Sequence, residues 1–179
     1  MSKNNIGKKI MVIGSTGSGK STFSRHLAGI TGIPLIHLDQ EFWNPGWLET
    51  PKDEWTKKQE TLISGDEWII DGNYGDSMNK RLEKADTVIY FDFNKFVCLK
   101  NYLKRLISNY GHERPDMAEG CIEKLDFEFV KYIWNFTKTE GQRNKERLKR
   151  YQDKNIIVFR KRSEVKKFLK ATCYYDEKK

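Results

Sequence analysis

Gly14-Ser15-Thr16-Gly17-Ser18-Gly19-Lys20-Ser21 is the stretch that decides the fold. It follows an apolar run at residues 9–13 and opens a segment carrying Phe23 and Leu27 at i, i+4, which stops around residues 29–32. The order is therefore strand, glycine-rich loop, helix. In that context the G-x-x-x-x-G-K-S spacing is a Walker A loop. Its glycines let the backbone bend so that successive amides converge on phosphate oxygens, and the helix N-terminus adds the positive end of its dipole. Lys20 is expected to reach the β- and γ-phosphates and Ser21 to ligate magnesium, with Thr22 closing the nucleotide-binding set that begins at Gly14. With glycine at ~7% of average usage, a chance match of the four fixed positions is on the order of one per cent. ATP and Mg2+ are the cofactors this predicts.

Outward from the loop, β-rich runs at 33–38, 67–70, 87–91 and 155–159 alternate with helical patterns. Helices between strands imply crossovers, so the expected class is α/β, a parallel sheet with helices on both faces. The 179 residues fit one domain, 1–179. The lysines near the N-terminus precede an apolar run too short for a signal peptide, and no run approaches the roughly 20 residues a membrane span needs. A soluble, cytoplasmic protein is expected. Cys98, Cys121 and Cys173, with His26, His37 and His112, show no zinc spacing.

Two segments exceed a minimal alternation. In the first, about 40–65, Phe42, Trp43 and Trp47 precede a helix for which Thr50 is the expected N-cap and Pro51 the first helical residue, with Asp53 and Glu54 at its positive end. In the second, about 108–151, Phe127, Val130 and Trp134 form one helical stripe and Phe129, Ile133 and Phe136 another, so this helix packs on something or closes over a ligand. The last helix places Val165, Phe168 and Leu169 on one face. Net charge is +8, and it is concentrated: residues 141–179 hold 14 Lys+Arg against 5 Asp+Glu, whereas residues 1–140 hold 19 against 20. Such a run is more often a solvated helix face than a nucleic-acid groove.

Asp71, after Trp68-Ile69-Ile70, and Asp92, after residues 88–91, each end a strand. The C-terminal edge of a parallel sheet is where such folds bind ligands, and either acid can hold a magnesium-bound water or cap a helix. Periodicity does not choose between them. Asp39 ends the second strand similarly, so it either orients or deprotonates an acceptor hydroxyl or caps the next turn. Arg143 and Arg147 share a helix face at i, i+4, and Arg105 and Arg114 flank the start of the same long segment. Together they form a candidate cationic lid over the transferring phosphoryl group. Trp43 and Trp47 offer faces on which a base or sugar can stack, or pack into the interior.

GSTGSGKS (14–21), IPLIHLD (33–39), WIIDGNY (68–74) and RPDMAEGC (114–121) together resemble the bacterial topology modulation protein family, within the adenylate-kinase-like P-loop proteins. The resemblance covers nearly the whole chain. It implies a five-stranded parallel sheet in the order 2-3-1-4-5, an acceptor-binding insertion after the second strand and an arginine-bearing lid after the fourth. It also favours Asp71 over Asp92 as the magnesium-side acid and places Arg105 at the start of the lid. After Asp-Gly the chain departs from adenylate kinases, reading Asn73-Tyr74 in place of an aromatic-Pro-Arg run, with Arg81 as the candidate substitute for the missing arginine.

The expected function is a magnesium-dependent kinase that transfers the γ-phosphoryl of ATP to a small acceptor, with nucleotides and nucleosides as candidates. Lys20, Asp39, Asp71, Arg105, Arg143 and Arg147 form the catalytic set, Asp39, Trp43, Asn73, Arg81 and Arg114 the acceptor set, and Ser21 with Asp71 the metal set. The alternatives are a nucleotide-dependent nucleic-acid binder, although no DNA-reading motif is visible, and a nucleotide sensor without transfer. Oligomeric state is not encoded in any pattern found.

Overall fold

The computed structural model describes residues 6–176. The first five residues, and Lys178 and Lys179 of the basic C-terminal run, lie outside them. β1 (Lys9–Gly14) runs through the glycine-rich loop into α1 (Lys20–Thr31). β2 (Leu35–His37) passes directly into the short helix α2 (Leu38–Phe42), the two-residue strands β3 (Trp43–Asn44) and β4 (Leu48–Glu49), and α3 (Lys52–Leu62). β5 (Trp68–Asp71) leads through a single 3-10 turn, Gly75–Ser77, to α4 (Met78–Lys84). β6 (Thr87–Phe91) is followed by α5 (Lys95–Asn109), a strap at 110–126 that is neither helix nor strand, and α6 (Phe127–Asn135). A second 3-10 turn, Phe136–Lys138, precedes α7 (Glu140–Leu148), β7 (Asn155–Phe159) and α8 (Arg162–Asp176).

Five strands form one parallel sheet in the order β2-β5-β1-β6-β7, so β1 sits at the centre with β5 and β6 beside it. Counting only these five strands, that is the expected order 2-3-1-4-5. Side chains alternate across a strand, and β1 divides its residues accordingly. Ile10 and Val12 join one apolar cluster with Phe23 and Leu27 of α1, Tyr102 of α5, Ile133 of α6 and Phe168 of α8. Met11 and Ile13 face the other, with Leu38, Trp55 of α3, Leu82 of α4 and Leu148 of α7. Burial on both faces is why these strands read as continuous apolar runs.

Local departures have local causes. β2 is shorter than expected, and Asp39 lies in the first turn of α2 rather than at a strand end. Thr50 does not cap α3. The helix begins at Lys52 with Pro51 at the N-cap, and the Thr50 hydroxyl instead donates to the Phe42 carbonyl while accepting from Asn44 Nδ2, tying the ends of the β3–β4 hairpin together. Of the expected helical stripes, Ile133 and Phe136 are buried, whereas Phe127 is 76% exposed and Trp134 packs edge-on against Phe96 under the Lys95 ammonium.

Candidate active site

The loop after β1 takes its shape from close approaches. Gly17 has φ +75° and lies so near α5 that a Cβ there would come 2.1 Å from the Cys98 carbonyl oxygen. Asn101 of α5 also donates to the Gly17 carbonyl at 2.8 Å. Gly19 adopts φ +95° at the N-cap of α1, a left-handed conformation costly for any residue with a side chain. The Gly14 backbone is gripped from the next strand: its N–H donates to Asn73 Oδ1 at 3.0 Å, and Asn73 Nδ2 donates to its carbonyl at 2.9 Å. Among the described residues, the amides of Gly17, Gly19, Lys20 and Ser21 have no protein acceptor. Lys20 Nζ donates to the Ser15 carbonyl at 3.1 Å, which keeps the ammonium over its own loop.

This loop lines one end of a cleft of about 930 Å³ that runs along the C-terminal edge of the sheet. Asp71, the last residue of β5, is buried there, with Oδ2 3.1 Å from His37 Nδ1 and Oδ1 buried without a hydrogen-bond partner. Asp92 lies elsewhere. Its carboxylate pairs with Lys145 at 2.9 Å and Arg160 at 3.9 Å, tying α7 and the end of β7 to the end of β6.

Asp39 lines the same cleft and accepts from the Tyr74 hydroxyl at 2.7 Å. Desolvation by the surrounding walls raises its carboxyl above the usual carboxylate range; the Tyr74 hydrogen bond opposes that rise and the neighbouring Asp71 charge adds to it. Burial, then Asp39, pushes the Tyr74 phenol well up, so it stays protonated and donating. Trp43 lies beside Tyr74 and opposes that rise slightly. Trp43 and Trp47 meet edge-to-face at 5.5 Å on the cleft wall.

The strap at 110–126 closes this end. Gly46 N–H donates to the Gly120 carbonyl at 3.1 Å, Trp47 Nε1 to the Ile122 carbonyl at 2.9 Å, and Gln40 Nε2 to the Pro115 carbonyl at 2.8 Å. Strap and hairpin are thus joined across the cleft mouth. Glu123, buried, bridges Arg114 Nε at 2.6 Å and Arg105 at 3.2 Å, and Arg114 also faces Asp116 at 3.7 Å. Asp116 lines the cleft with Ser21. Burial pushes its carboxyl up, but Arg114, the Ser21 hydroxyl and Arg105 hold it below the usual carboxylate range.

Of the residues singled out by sequence, the cleft brings together Thr16, Gly17, Gly19, Lys20, Ser21 and Thr22 of the loop, Asp39, Trp43, Asp71 and Asn73 on the sheet side, and Arg105 of α5 and Arg114 of the strap. Ser15 and Ser18 are buried beneath the loop, and the Ser18 hydroxyl has no partner. Three arginines are placed otherwise. Arg143 is 67% exposed and pairs with Glu140 on its own helix, and Arg147 contacts Glu140 and Asn144; neither lines the cleft. α7 packs on the second cluster, with the Tyr90 hydroxyl on the Gly141 carbonyl and Leu148 in that cluster, and its two arginines are spent on Glu140 and Asn144. Arg81 is fully buried, and its guanidinium donates to the carbonyls of Gly72, Asn73 and Tyr74; burial pulls its pKa down to about 9. It holds the loop after β5 rather than a ligand. Asn73 likewise spends its amide on Gly14. Sequence reasoning passed over Tyr74, Asp116 and Glu123, although Asp116 lay inside the quoted RPDMAEGC stretch and Tyr74 inside WIIDGNY.

No protein-family model matches the chain, and the topology modulation family that its motifs resemble is not established by comparison. Among curated proteins, the phosphonates import ATP-binding protein PhnC of Fusobacterium nucleatum subsp. nucleatum is 27% identical over 128 residues, 72% of this chain and 47% of that protein. The chain thus spans about half the length of the relative it matches. Among solved structures, a gluconokinase from Sinorhizobium meliloti 1021 superposes with a TM-score of 0.54 at 14% identity, covering 97% of this chain and 93% of that one. A shikimate kinase from Bacteroides thetaiotaomicron gives 0.52 at 14% identity over 94% and 97%. The fold is that of the P-loop kinases. The glycine-rich loop stands at the C-terminal edge of the central strand, where the sheet order reverses direction. Among the described residues no helix is long and apolar enough to cross a membrane.

Proposed function

We propose that the protein is a magnesium-dependent phosphotransferase that moves the γ-phosphoryl group of ATP to a hydroxyl of a small acceptor. The observation that carries this reading is a set of loop amides without protein acceptors among the described residues, those of Gly17, Gly19, Lys20 and Ser21, opening into the same cleft as the Asp39 carboxylate. The residues fit a magnesium-bound triphosphate: the loop supplies N–H donors and the Lys20 ammonium, Ser21 a hydroxyl, and Asp71 a buried oxygen that lacks a partner. When bound, magnesium would neutralise charge developing on the phosphoryl oxygens.

The chain's own residues then divide the work. Lys20 leaves the Ser15 carbonyl for the phosphates, exchanging a neutral hydrogen bond for a charge-assisted one. Asp71 is held in one orientation by His37. Asp39 accepts the acceptor's hydroxyl proton as its oxygen bonds to the γ-phosphorus; the bond from that phosphorus to the β–γ bridging oxygen breaks, and its electron pair leaves with ADP. Arg105 and Arg114 supply positive charge on the strap side of the cleft. The strap and hairpin shield the transfer from water.

Asp39→Asn separates this reading from a nucleotide sensor. The amide preserves shape but not the base, so transfer is expected to fall roughly 10²-fold or more while Mg-ATP affinity stays within about twofold. Measured product formation equal to wild type would remove Asp39 from the reaction. Equal loss of ATP binding would make it part of the nucleotide site instead.

A further inference from the structure

The exposed apolar surface of the molecule is concentrated in one segment. Among the described residues, every exposed large hydrophobic side chain except Leu48 falls between Phe96 and Trp134. On α5, Phe96, Lys100, Leu103 and Ile107 follow one another at helical spacing, on the face turned away from the buried Cys98, Tyr102 and Leu106. On α6, Phe127, Lys131 and Trp134 do the same, away from the buried Ile133. The stripes meet where the Phe96 and Trp134 rings pack edge-on at 5.5 Å, and beneath them Tyr102 meets Phe129 at 5.6 Å. These pairs run in opposite directions along the chain, so the two helices are antiparallel and Phe127 falls toward the Leu103 and Ile107 half of α5. Phe96, Ile107, Tyr110, Phe127 and Trp134 are 60%, 80%, 63%, 76% and 44% exposed. With roughly 150–250 Å² on a whole aromatic side chain, such a face presents on the order of 700 Å² of apolar surface. That exceeds the roughly 300–600 Å² of the largest patch on a typical monomer and approaches the roughly 800 Å² that each partner gives to a stable interface.

The charges on this face say what covers it. α5 carries Lys95, Lys100, Lys104 and Arg105 and no acid, whereas the start of α6 presents Asp126 and Glu128, both exposed. Glu128 has a loose contact with Lys131 at 3.8 Å, and Lys100 and Lys104 make no ion pair among the described residues. A face that is basic along one helix and acidic at the start of the next complements a copy of itself turned about a two-fold axis. An anionic bilayer would attract the lysines but repel Asp126 and Glu128, which flank Phe127. We propose that this face is a two-fold interface between two copies of the chain. The α5 stripe of each copy seats on Phe127 and Trp134 of the other, and Lys100 and Lys104 of each reach Glu128 of the other. None of the side chains so paired lines the cleft, so the inference stands apart from the phosphotransferase reading.

Sedimentation velocity of the full chain, from submicromolar to submillimolar concentration, reads the association directly. A concentration-dependent shift to twice the chain mass is expected. Ile107→Glu alters a side chain that is 80% exposed and so leaves the folded core alone. It is expected to weaken the dimer at least about 100-fold, because it buries an unpaired charge in the interface. Phe127→Asp repeats the test from the other helix. Glu128→Lys, and Lys100→Glu with Lys104→Glu, are each expected to weaken association about tenfold, and their combination to recover most of that loss. A chain that stays monomeric throughout the range, or a dimer indifferent to both Ile107→Glu and Phe127→Asp, overturns the inference. So does a monomer that sediments with vesicles of phosphatidylglycerol but not with those of phosphatidylcholine, which would give the face to a membrane. Charge-reversal losses that merely add in the combined variant overturn the crossed pairing.

Discussion

The two ends of the cleft are built by different means. The loop end is one contiguous stretch, Gly14 to Ser21, whose geometry comes from glycines at positive φ and from neighbours that grip its backbone. The hairpin end is assembled from α2, the β3–β4 hairpin, the loop after β5 and the strap, joined by hydrogen bonds between segments 35 to 75 residues apart. Contiguous function tolerates changes elsewhere, whereas assembled function depends on buried braces that never touch a ligand. Substitutions should therefore separate the two ends by whether stability or chemistry fails first.

The largest effect is expected at a brace. Arg81→Met leaves three carbonyls of the loop after β5 without their donor and should lower stability by about 3–5 kcal/mol, read from denaturant midpoints. Wild-type stability with a selective rise in acceptor KM would return Arg81 to the substrate. Asn73→Ala removes both hydrogen bonds to Gly14, the point at which the two ends touch. A loss of about 1–3 kcal/mol is expected together with weaker ATP binding, measured by melting and calorimetry. Unaltered ATP affinity would mean the loop holds its shape without the clamp.

A subtler effect concerns pH. Asp39 already sits above the usual carboxylate range, so the acid limb of kcat/KM should lie above that of an ordinary carboxylate. The Tyr74 hydrogen bond favours the charged form and lowers the pKa; Tyr74→Phe removes it and should move the acid limb to higher pH. A limb that stays put or moves down would place the titrating group elsewhere. The smallest effect is expected at Arg143, exposed on the far side of α7: Arg143→Ala should change stability by less than about 0.5 kcal/mol and turnover hardly at all. A tenfold loss of turnover would bring α7 into the cleft during the reaction.

This division also explains what the sequence disclosed. Strand-loop-helix order and the glycine-rich loop depend on neighbours in sequence, and they were readable from periodicity and glycine spacing; the central place of β1 came from the resemblance. Asp71 could not be told from Asp92 by pattern, because both end apolar strands; the choice came from resemblance, and the structure separates them by giving Asp92 two cationic partners. Arg81 is spent on backbone carbonyls and Asn73, though it lines the cleft, on Gly14: a polar side chain looks available until one sees the backbone groups within its reach. Arg143 and Arg147 shared a helix face as expected, but nothing in an i, i+4 spacing tells which face of the sheet the helix will cover. The basic C-terminal run is similarly divided on folding, with Lys145 and Arg160 on Asp92, Lys154 on Asp153 and the Glu83 carbonyl, and Arg143 on Glu140.

Backbone amide shifts followed in 15N-labelled protein during titration with Mg-ATP probe the nucleotide loop directly. Large perturbations are expected at Gly17, Gly19, Lys20 and Ser21, with a smaller one at Gly14, whose N–H is already held by Asn73. Silence at those four amides, or perturbations confined to the basic surface of α8, would contradict the account.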